Sequence, residues 1–316
     1  MRAGTTAILD ALHRNASGYV SFDELRQCAG VPAPLVTAGL AELQQRGYQI
    51  EINPHLGLRL LESPDRLTAD EIQALLDTRV IGREVQVFDE TASTNDVITR
   101  LAKSHAAEGL VVFAESQTRG RGRHGRRWVS PRGRGLWFSV LLRPELPATA
   151  YSRITVAASV AVARAVKQRA RIKWPNDVTL GGRKLAGILT EAGKDAVILG
   201  IGVNVNSLPE DFPPELRAQA TSLRIETGQA QSRTALAAKV LAALDAYYAR
   251  VVDDFEAVAT EWAGLCDTLG KQLVVNIGSR RVEGQAHALD GDGALLVRKD
   301  NGQIEHIRGG DLLCFS

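Results

Sequence analysis

Arginine and glycine alternate in one segment of this chain, between Gln117 and Pro144. The segment holds eight arginines and five glycines, contains no Asp, Glu or Lys, and is densest over Arg119–Trp128. Ordering it is costly, because glycine loses more backbone entropy than any other residue and neighbouring guanidinium groups repel one another. Glycine also lets backbone N–H groups approach an anion, and arginine offers a permanently charged, planar set of donors. The pattern therefore predicts a loop that binds an acidic ligand or a polyanion.

Two other interpretations of this Arg–Gly segment stay open. Arginine–glycine tails that bind RNA are disordered and poor in apolar residues. Here the segment continues directly into Gly135–Leu142, an apolar run that predicts a strand, which favours a ligand-binding loop inside a folded domain. The remaining alternative is a solvated basic loop without a ligand.

A second polar group follows a predicted strand that ends in Lys-Trp-Pro-Asn-Asp, with Asn176 and Asp177 expected to be exposed in a turn. Gly181–Gly182 should reverse the chain and return Lys184 to the mouth of the sheet, near the start of Arg-Lys-Leu-Ala-Gly-Ile-Leu. Its ammonium could there meet a phosphate or carboxylate oxygen. Taken alone, these residues are better explained by ordinary turn chemistry and a solvated strand end.

Two further segments carry polar residues, one at a predicted helix start and one in a predicted buried strand. Glu90–Asp96 predicts a helix start capped by Thr94 or Asn95, and a helix N-terminus attracts anions, although capping alone would explain these residues. Gly200–Asn206 predicts a buried strand with two amide side chains on one face. Buried amides need partners, which either a bound heterocycle or a core hydrogen-bond network could supply.

The elements that must position these groups alternate between strand and helix from Val80 to about Asp267. The predicted strands are 85–87, 110–114, 135–142, 172–174, 185–190 and 197–205, and the predicted helices are 94–105, 151–168 and 234–255. Before them, residues 1–62 predict three helices and a hairpin, the order of a winged helix-turn-helix, and 67–76 predicts a linking helix. Beyond Leu269, short strands between Gly turns predict a small all-β barrel.

Composition limits the classes of function. The net charge is only +2, which the Arg–Gly segment alone exceeds, so bulk binding of polyanions is not expected to be the main activity. The three cysteines, at 28, 266 and 314, lack metal-ligand spacing and indicate a reducing compartment. The longest apolar-leaning run, 154–163, is too short to span a bilayer. We expect a cytoplasmic protein that does not insert into membranes.

In this order and at these spacings, the four segments resemble the biotin protein ligase family. The resemblance covers nearly the whole chain, its motifs lie within residues 90–206, and the layout is similar to that of the family's bifunctional members. It implies an α+β chain with a winged helix-turn-helix domain (1–65), a mixed-sheet catalytic domain like that of biotin and lipoate ligases (66–267), and a small SH3-like β-barrel (268–316).

The resemblance also implies an activity. Biotin carboxylate attacks the α-phosphate of ATP in the presence of Mg²⁺, and biotinyl-5′-AMP remains bound. A lysine of the biotin carboxyl carrier protein of acetyl-CoA carboxylase then attacks the mixed anhydride. No protein nucleophile is required, so catalysis is expected from positioning and charge stabilisation.

The family's functional residues map onto matching positions of this sequence. Lys184, Arg121 and Arg123 are implied to be catalytic, and Asp177 to hold Mg²⁺. The nucleotide is implied to contact Arg123, Trp128, Asn176 and Asn204. Biotin is implied to contact Ser93, Thr94, Asn95, Gln117, Arg121, Gly122, Arg123, Lys184 and Gly187. The proline-containing segment 207–222 is expected to close over the adenylate, which must be shielded from water.

Whether the N-terminal domain binds operator DNA stays open. Residues 1–65 contain five Arg and no Lys against seven Asp and Glu, which gives a net charge of −2, and phosphate neutralisation supplies most non-specific affinity for DNA. The candidate recognition helix has no Arg or Lys before Arg46.

A lipoate ligase and a biotin-sensing regulator without ligase activity are the alternatives to a biotin protein ligase. By resemblance, we also expect a homodimer that forms once the ligand is bound.

Overall fold

The computed structural model describes residues 3–15, 18–167, 169–193 and 195–315. By its internal contacts the chain divides into two compact units, residues 1–77 with 232–238 and residues 78–231 with 239–316. Within the described ranges, no helix is long and apolar enough to cross a membrane.

The first unit contains three helices, a hairpin and a short fourth helix, in the order expected from the sequence. They are α1 (Ala3–Arg14), α2 (Phe22–Ala29), α3 (Ala33–Gln45), β1 (Gln49–Asn53), β2 (Gly57–Glu62) and α4 (Ala69–Ala74). Ser21 caps α2, because its hydroxyl accepts from the Glu24 N–H while the Glu24 carboxylate accepts from the Ser21 N–H. Apolar residues of α1–α3 and both strands, such as Ile8, Leu25 and Leu43, form the core of this unit.

The second unit is built on a seven-stranded sheet. Its strands and the helices between them are β3 (Val85–Thr91), α5 (Thr94–Lys103), β4 (Val111–Gln117), β5 (Gly135–Leu142), α6 (Ser152–Ala165), β6 (Arg171–Lys173), β7 (Asp177–Leu180), β8 (Arg183–Ala192) and β9 (Val197–Asn204). The spatial order is β3-β4-β5-β9-β8-β7-β6. β3 and β4 pair in parallel and the other neighbours are antiparallel, which confirms the predicted mixed sheet.

Three helices and a second sheet complete the chain. They are α7 (Leu223–Thr227), α8 (Arg233–Tyr248), α9 (Phe255–Leu265), β10 (Gln272–Ile277), β11 (Arg280–Leu289), β12 (Leu295–Arg298), β13 (Ile304–Ile307) and β14 (Asp311–Phe315). The five strands form one antiparallel sheet in the order β13-β12-β11-β10-β14.

Two sequence-based expectations about these elements were wrong. The helix predicted over 234–255 ends at Tyr248, and Phe255 opens a separate helix. The intervening residues include Val251, Val252 and two aspartates, which are poor helix formers. β7 was not predicted: Asp177 was expected in a turn and residues 178–180 were assigned no element, because four residues are too few to show strand periodicity.

Candidate functional site

Glycines on β8 and β9 form the floor of the site. Gly187 pairs with Gly202, and Gly200 lies two residues before Gly202 on the same face of the sheet. A Cβ on Gly202 would overlap the Trp128 indole, and one on Gly200 would overlap the Asn95 amide. The absence of side chains at these positions therefore lets Trp128 and Asn95 lie directly on the sheet.

A buried polar cluster lies over this floor beside α5. Asn95 Oδ1 accepts from Ser139 Oγ at 2.5 Å, and Asn95 Nδ2 donates to Glu191 Oε2 at 2.5 Å. The Thr94 hydroxyl is 2.7 Å from Ser139 Oγ, and the Thr94 N–H donates to Gln117 Oε1 at 2.9 Å. Hydrogen-bond donors and acceptors thus lie side by side in this largely buried cluster, which suits a ligand that presents both.

The N-cap residue of α5 differs from the one predicted from the sequence. Ser93, rather than Thr94 or Asn95, is the N-cap residue of α5, with extended backbone and a carbonyl that accepts from the Asp96 and Val97 N–H groups. Thr94 and Asn95 are already helical, and their side chains point into the polar cluster instead of capping. Sequence alone could not separate three adjacent residues that all favour the cap position.

Arg121 lies between the carboxylates of Asp96 and Glu191, neither of which was predicted to be a site residue. Its Nη1 donates to Asp96 Oδ1 at 2.7 Å, and its Nε and Nη2 donate to the two oxygens of Glu191 at 3.3 and 3.0 Å. Burial alone would lower the pKa of Arg121, but the hydrogen bonds to Glu191 and Asp96 hold it above its ordinary value. Glu191 thereby connects Arg121 to Asn95.

Arg123 and its loop meet the start of the last strand. Arg123 Nη2 donates to the Gly310 carbonyl at 3.0 Å, and Arg126 forms an ion pair with Asp311 at 3.0 Å. Burial lowers the pKa of Arg123, although Asp311 and Asp177 act in the opposite direction. Gly122 donates its N–H to the Arg126 carbonyl at 2.7 Å, which closes the tip of the loop.

Lys184 stands over the aromatic end of the floor. Its Nζ is 2.7 Å from Asp177 Oδ1 and 5.2 Å from the centre of the Trp128 ring. A Cβ on Gly187 would lie 3.0 Å from that ring and 3.3 Å from Lys184 Cε, so the three residues are in close contact. The lysine ammonium is thus held by one carboxylate and one indole face.

The surroundings of Asn176 and Asp177 differ from the prediction, and the partner of Asn204 is now identified. Asn176 and Asp177 are partly buried rather than exposed, because Asn176 Nδ2 donates to the Ile188 carbonyl at 2.8 Å and Asp177 pairs with Lys184. Asn204 is buried, and its Nδ2 donates to the Thr221 carbonyl at 3.0 Å. In this structure, therefore, a core hydrogen-bond network, one of the two alternatives, takes the Asn204 amide.

The structure brings most of the predicted residues to one face of the sheet. The residues it adds are Ser139, Glu191, Asp96 and Asp311. Ser139 could have been identified from the sequence, because it is the one hydroxyl side chain in the apolar run Gly135–Leu142. In the structure it is fully buried. No cluster of three or more His, Cys, Asp or Glu side chains with metal-binding geometry occurs in the described part of the chain.

Comparisons with known proteins identify the family of this chain. Residues 87–206 match the model of the biotin/lipoate A/B protein ligase family, and residues 268–312 match the biotin protein ligase C-terminal domain. The bifunctional ligase/repressor BirA of Bacillus subtilis is 32% identical over 315 residues, a match that spans 96% of this chain and 97% of that protein. The chain belongs to the biotin protein ligase family. The expected enzyme class is thereby confirmed.

Two further relatives show how far the likeness extends. The biotin–[acetyl-CoA-carboxylase] ligase of Mycobacterium tuberculosis is 33% identical and covers 79% of this chain and 97% of its own length. The structure of the Aquifex aeolicus biotin protein ligase in complex with biotin and ATP superimposes with a TM-score of 0.64 at 30% identity. It covers 74% of this chain and 98% of the Aquifex chain.

Proposed function

We propose that this ligase forms biotinyl-5′-AMP from biotin and ATP and transfers biotin to a lysine of the biotin carboxyl carrier protein of acetyl-CoA carboxylase. The observation that carries the proposal is the arrangement on the glycine floor. The Lys184 ammonium lies at one end over Trp128, and the cluster around Asn95 lies at the other. A ureido ring with donors and an acceptor fits the cluster, and an acidic tail that extends from it fits the lysine.

The residues divide the chemistry between them. Thr94, Asn95 and Gln117 would orient the ureido ring, supported by Ser93 at the start of the helix. Lys184, Arg121 and Arg123 would neutralise the biotin carboxylate and the α-phosphate while a carboxylate oxygen attacks phosphorus and the bond to pyrophosphate breaks. The acceptor amine then attacks the acyl carbon, loses a proton, and AMP leaves with the bonding electrons.

Asp177 is our candidate ligand for Mg²⁺. This ion ordinarily keeps several waters and binds one or two carboxylates together with substrate phosphates, so a dedicated cluster of protein ligands is not needed. The Asp177 carboxylate is partly buried and already faces the Lys184 ammonium, so a phosphate-borne ion would share it with the lysine. Asn176, Asn204 and Trp128 remain candidates for nucleotide contacts, with the Asn204 amide also engaged in the core.

The test is mass spectrometry of a purified biotin carboxyl carrier domain after incubation with this protein, biotin and Mg-ATP. We expect a single biotin adduct on one lysine and none with the Lys184→Ala variant. A parallel reaction with lipoate separates the lipoate-ligase alternative. Tight binding of biotin without any adduct would support the alternative of a sensor that does not ligate.

A second candidate function, repression through operator DNA, is favoured by α1–α3 with the β1–β2 hairpin and by the full-length match to a protein named ligase/repressor. The charges oppose it: Arg46 is paired with Glu42 and Arg59 with Glu51, each at 2.8 Å. We expect binding of duplex DNA from upstream of biotin-synthesis genes only with biotin and ATP present, as a homodimer. Fluorescence anisotropy and sedimentation at several salt concentrations measure this. A protein saturated with biotin and ATP that stays monomeric and does not bind the DNA would contradict both the expected homodimer and the expected DNA binding.

A further inference from the structure

Lys184 lies at a β-bulge. Val178 of β7 pairs with Ala186, but the next residue, Thr179, pairs with Lys184, so β8 has one extra residue, Leu185, at this point. In a regular strand, residues 184 and 187 would face opposite sides of the sheet. The bulge instead places Lys184 on the same side as Gly187, where its ammonium reaches Trp128 and Asp177.

The backbone of Lys184 is held by a segment outside the sheet. β9 pairs with β8 only from Ala186 onward, so it leaves Lys184 uncovered on that edge. There the Lys184 N–H donates to the Gln219 carbonyl at 2.7 Å, and the Lys184 carbonyl accepts from the Thr221 N–H at 2.9 Å. Residues 219–221, which we term the lysine clamp, thus continue the ladder in parallel with Lys184.

The lysine clamp is fixed in turn by one carboxylate. Thr221 is fully buried, and its hydroxyl donates to Glu226 Oε1 at 2.6 Å. Arg183, the residue before Lys184, donates to the same oxygen at 2.7 Å. Glu226 therefore ties the clamp to the first residue of β8, and Asn204 supports it through the Thr221 carbonyl at 3.0 Å.

We infer that Thr221 and Glu226 are positioning residues for Lys184. Thr221 holds the Lys184 carbonyl and Glu226 holds the Arg183 side chain, so that the ammonium stays over Trp128 and beside Asp177 rather than at the other positions a four-carbon side chain can reach. The inference rests on the proposed function, in which Lys184 contacts the reacting oxygens. A misplacement of about 1 Å at such a group can reduce the rate about 100-fold.

The test compares two substitutions at one position. Thr221→Val keeps the volume and removes the hydroxyl, while Thr221→Ser keeps the hydroxyl and removes a methyl group. In a pyrophosphate-release assay with saturating acceptor domain, normalised to biotin-binding sites, we expect kcat to fall about tenfold or more in Thr221→Val, with the KM for biotin and ATP nearly unchanged. We expect Thr221→Ser to stay within a few-fold of the parent protein.

Glu226→Gln is the second variant, because its partly exposed side chain tolerates substitution if Thr221→Val fails to fold. It should lower kcat in the same way. A purely structural role would lower the melting temperature and the number of binding sites but leave kcat per site unchanged, and that result would overturn the inference. If Lys184→Ala remains fully active, the proposed function fails instead. If Lys184→Ala is inactive while both Thr221→Val and Glu226→Gln match the parent, only the inference fails.

Discussion

Replacing Gly200 by alanine should damage the proposed biotin site without changing any residue that is proposed to contact biotin. The new methyl group would overlap Asn95 Oδ1 and lie 3.0 Å from both Cγ and Nδ2 of the same amide. β9 cannot shift to relieve the overlap, because Gly200 is paired with Ser139 on one side and Leu189 on the other. The Asn95 side chain must therefore move.

The loss of stability can be estimated from the hydrogen bonds that Asn95 would lose. It makes one hydrogen bond with the neutral Ser139 hydroxyl and one with the Glu191 carboxylate. A neutral hydrogen bond contributes about 1 kcal/mol and one to a charged group about 2 kcal/mol, so the free energy of unfolding should fall by about 3 kcal/mol at most. To bind biotin, Asn95 would have to return against the same overlap, and a penalty of about 1.5–3 kcal/mol raises Kd about 10- to 100-fold.

Calorimetric titration with biotin, without ATP, measures the affinity, and urea denaturation measures the stability. The control is the same substitution in an Asn95→Ala background, where the overlapping amide is gone and Gly200→Ala should be nearly neutral for both quantities. Gly264→Ala, which places a methyl group in open space on α9, controls for the effect of an added Cβ. Equal biotin affinity of Gly200→Ala and the parent protein, or additive losses in the double variant, would refute the reasoning.

Three further predictions follow from single side chains. Lys184→Ala should lower adenylation by about two to three orders of magnitude with little change in melting temperature, and full activity would remove Lys184 from the mechanism. Arg123→Gly, which loses the anchor to Gly310, should release biotinyl-5′-AMP, seen by mass spectrometry as labelling of bystander lysines, whereas unchanged acceptor selectivity would contradict it. Burial raises the pKa of Glu71, so its carboxylate lowers stability above that raised pKa and costs nothing below the ordinary value of 4.5. Glu71→Gln, which keeps an acceptor for the Tyr48 hydroxyl, should therefore raise the free energy of unfolding at neutral pH. In urea titrations the difference should shrink as the pH falls below the raised pKa and vanish near 4.5, and a constant difference would argue against this origin.

The sheet could be predicted where strands are long and buried on both faces. β5 was predicted with its observed bounds, and β9 to within one residue, because continuous apolar runs between glycines and polar loops mark such strands. β7 could not be predicted because its four residues are too few to show a period. The bulge at Leu185 could not be predicted because a bulge is defined by how two strands pair rather than by either strand alone. The face that Lys184 occupies depends on that bulge.

The candidate site was predictable as a set of residues but not as a network. Three of the four segments supplied Asn95, Gln117, Arg121 and Lys184, whose types suit an acidic ligand with a polar ring. Their partners come from elsewhere in the sequence: Glu191 follows the predicted strand 185–190, and Asp311 lies almost two hundred residues after the loop it meets. Such partners carry no local pattern, because any carboxylate at a strand end reads as solvated.

The charge on the Arg–Gly loop is partly balanced within the chain, which limits what charge alone can do for the ligand. Arg121 already has Asp96 and Glu191 as partners, and Arg126 has Asp311. An anionic ligand at Arg121 would exchange one carboxylate partner for another, so its net electrostatic gain is small. Affinity for biotin should then depend on the shape and hydrogen bonds of the Asn95 cluster. The cations should contribute most when negative charge develops on the phosphate oxygens in the transition state, the condition under which an interaction raises kcat rather than only lowering KM.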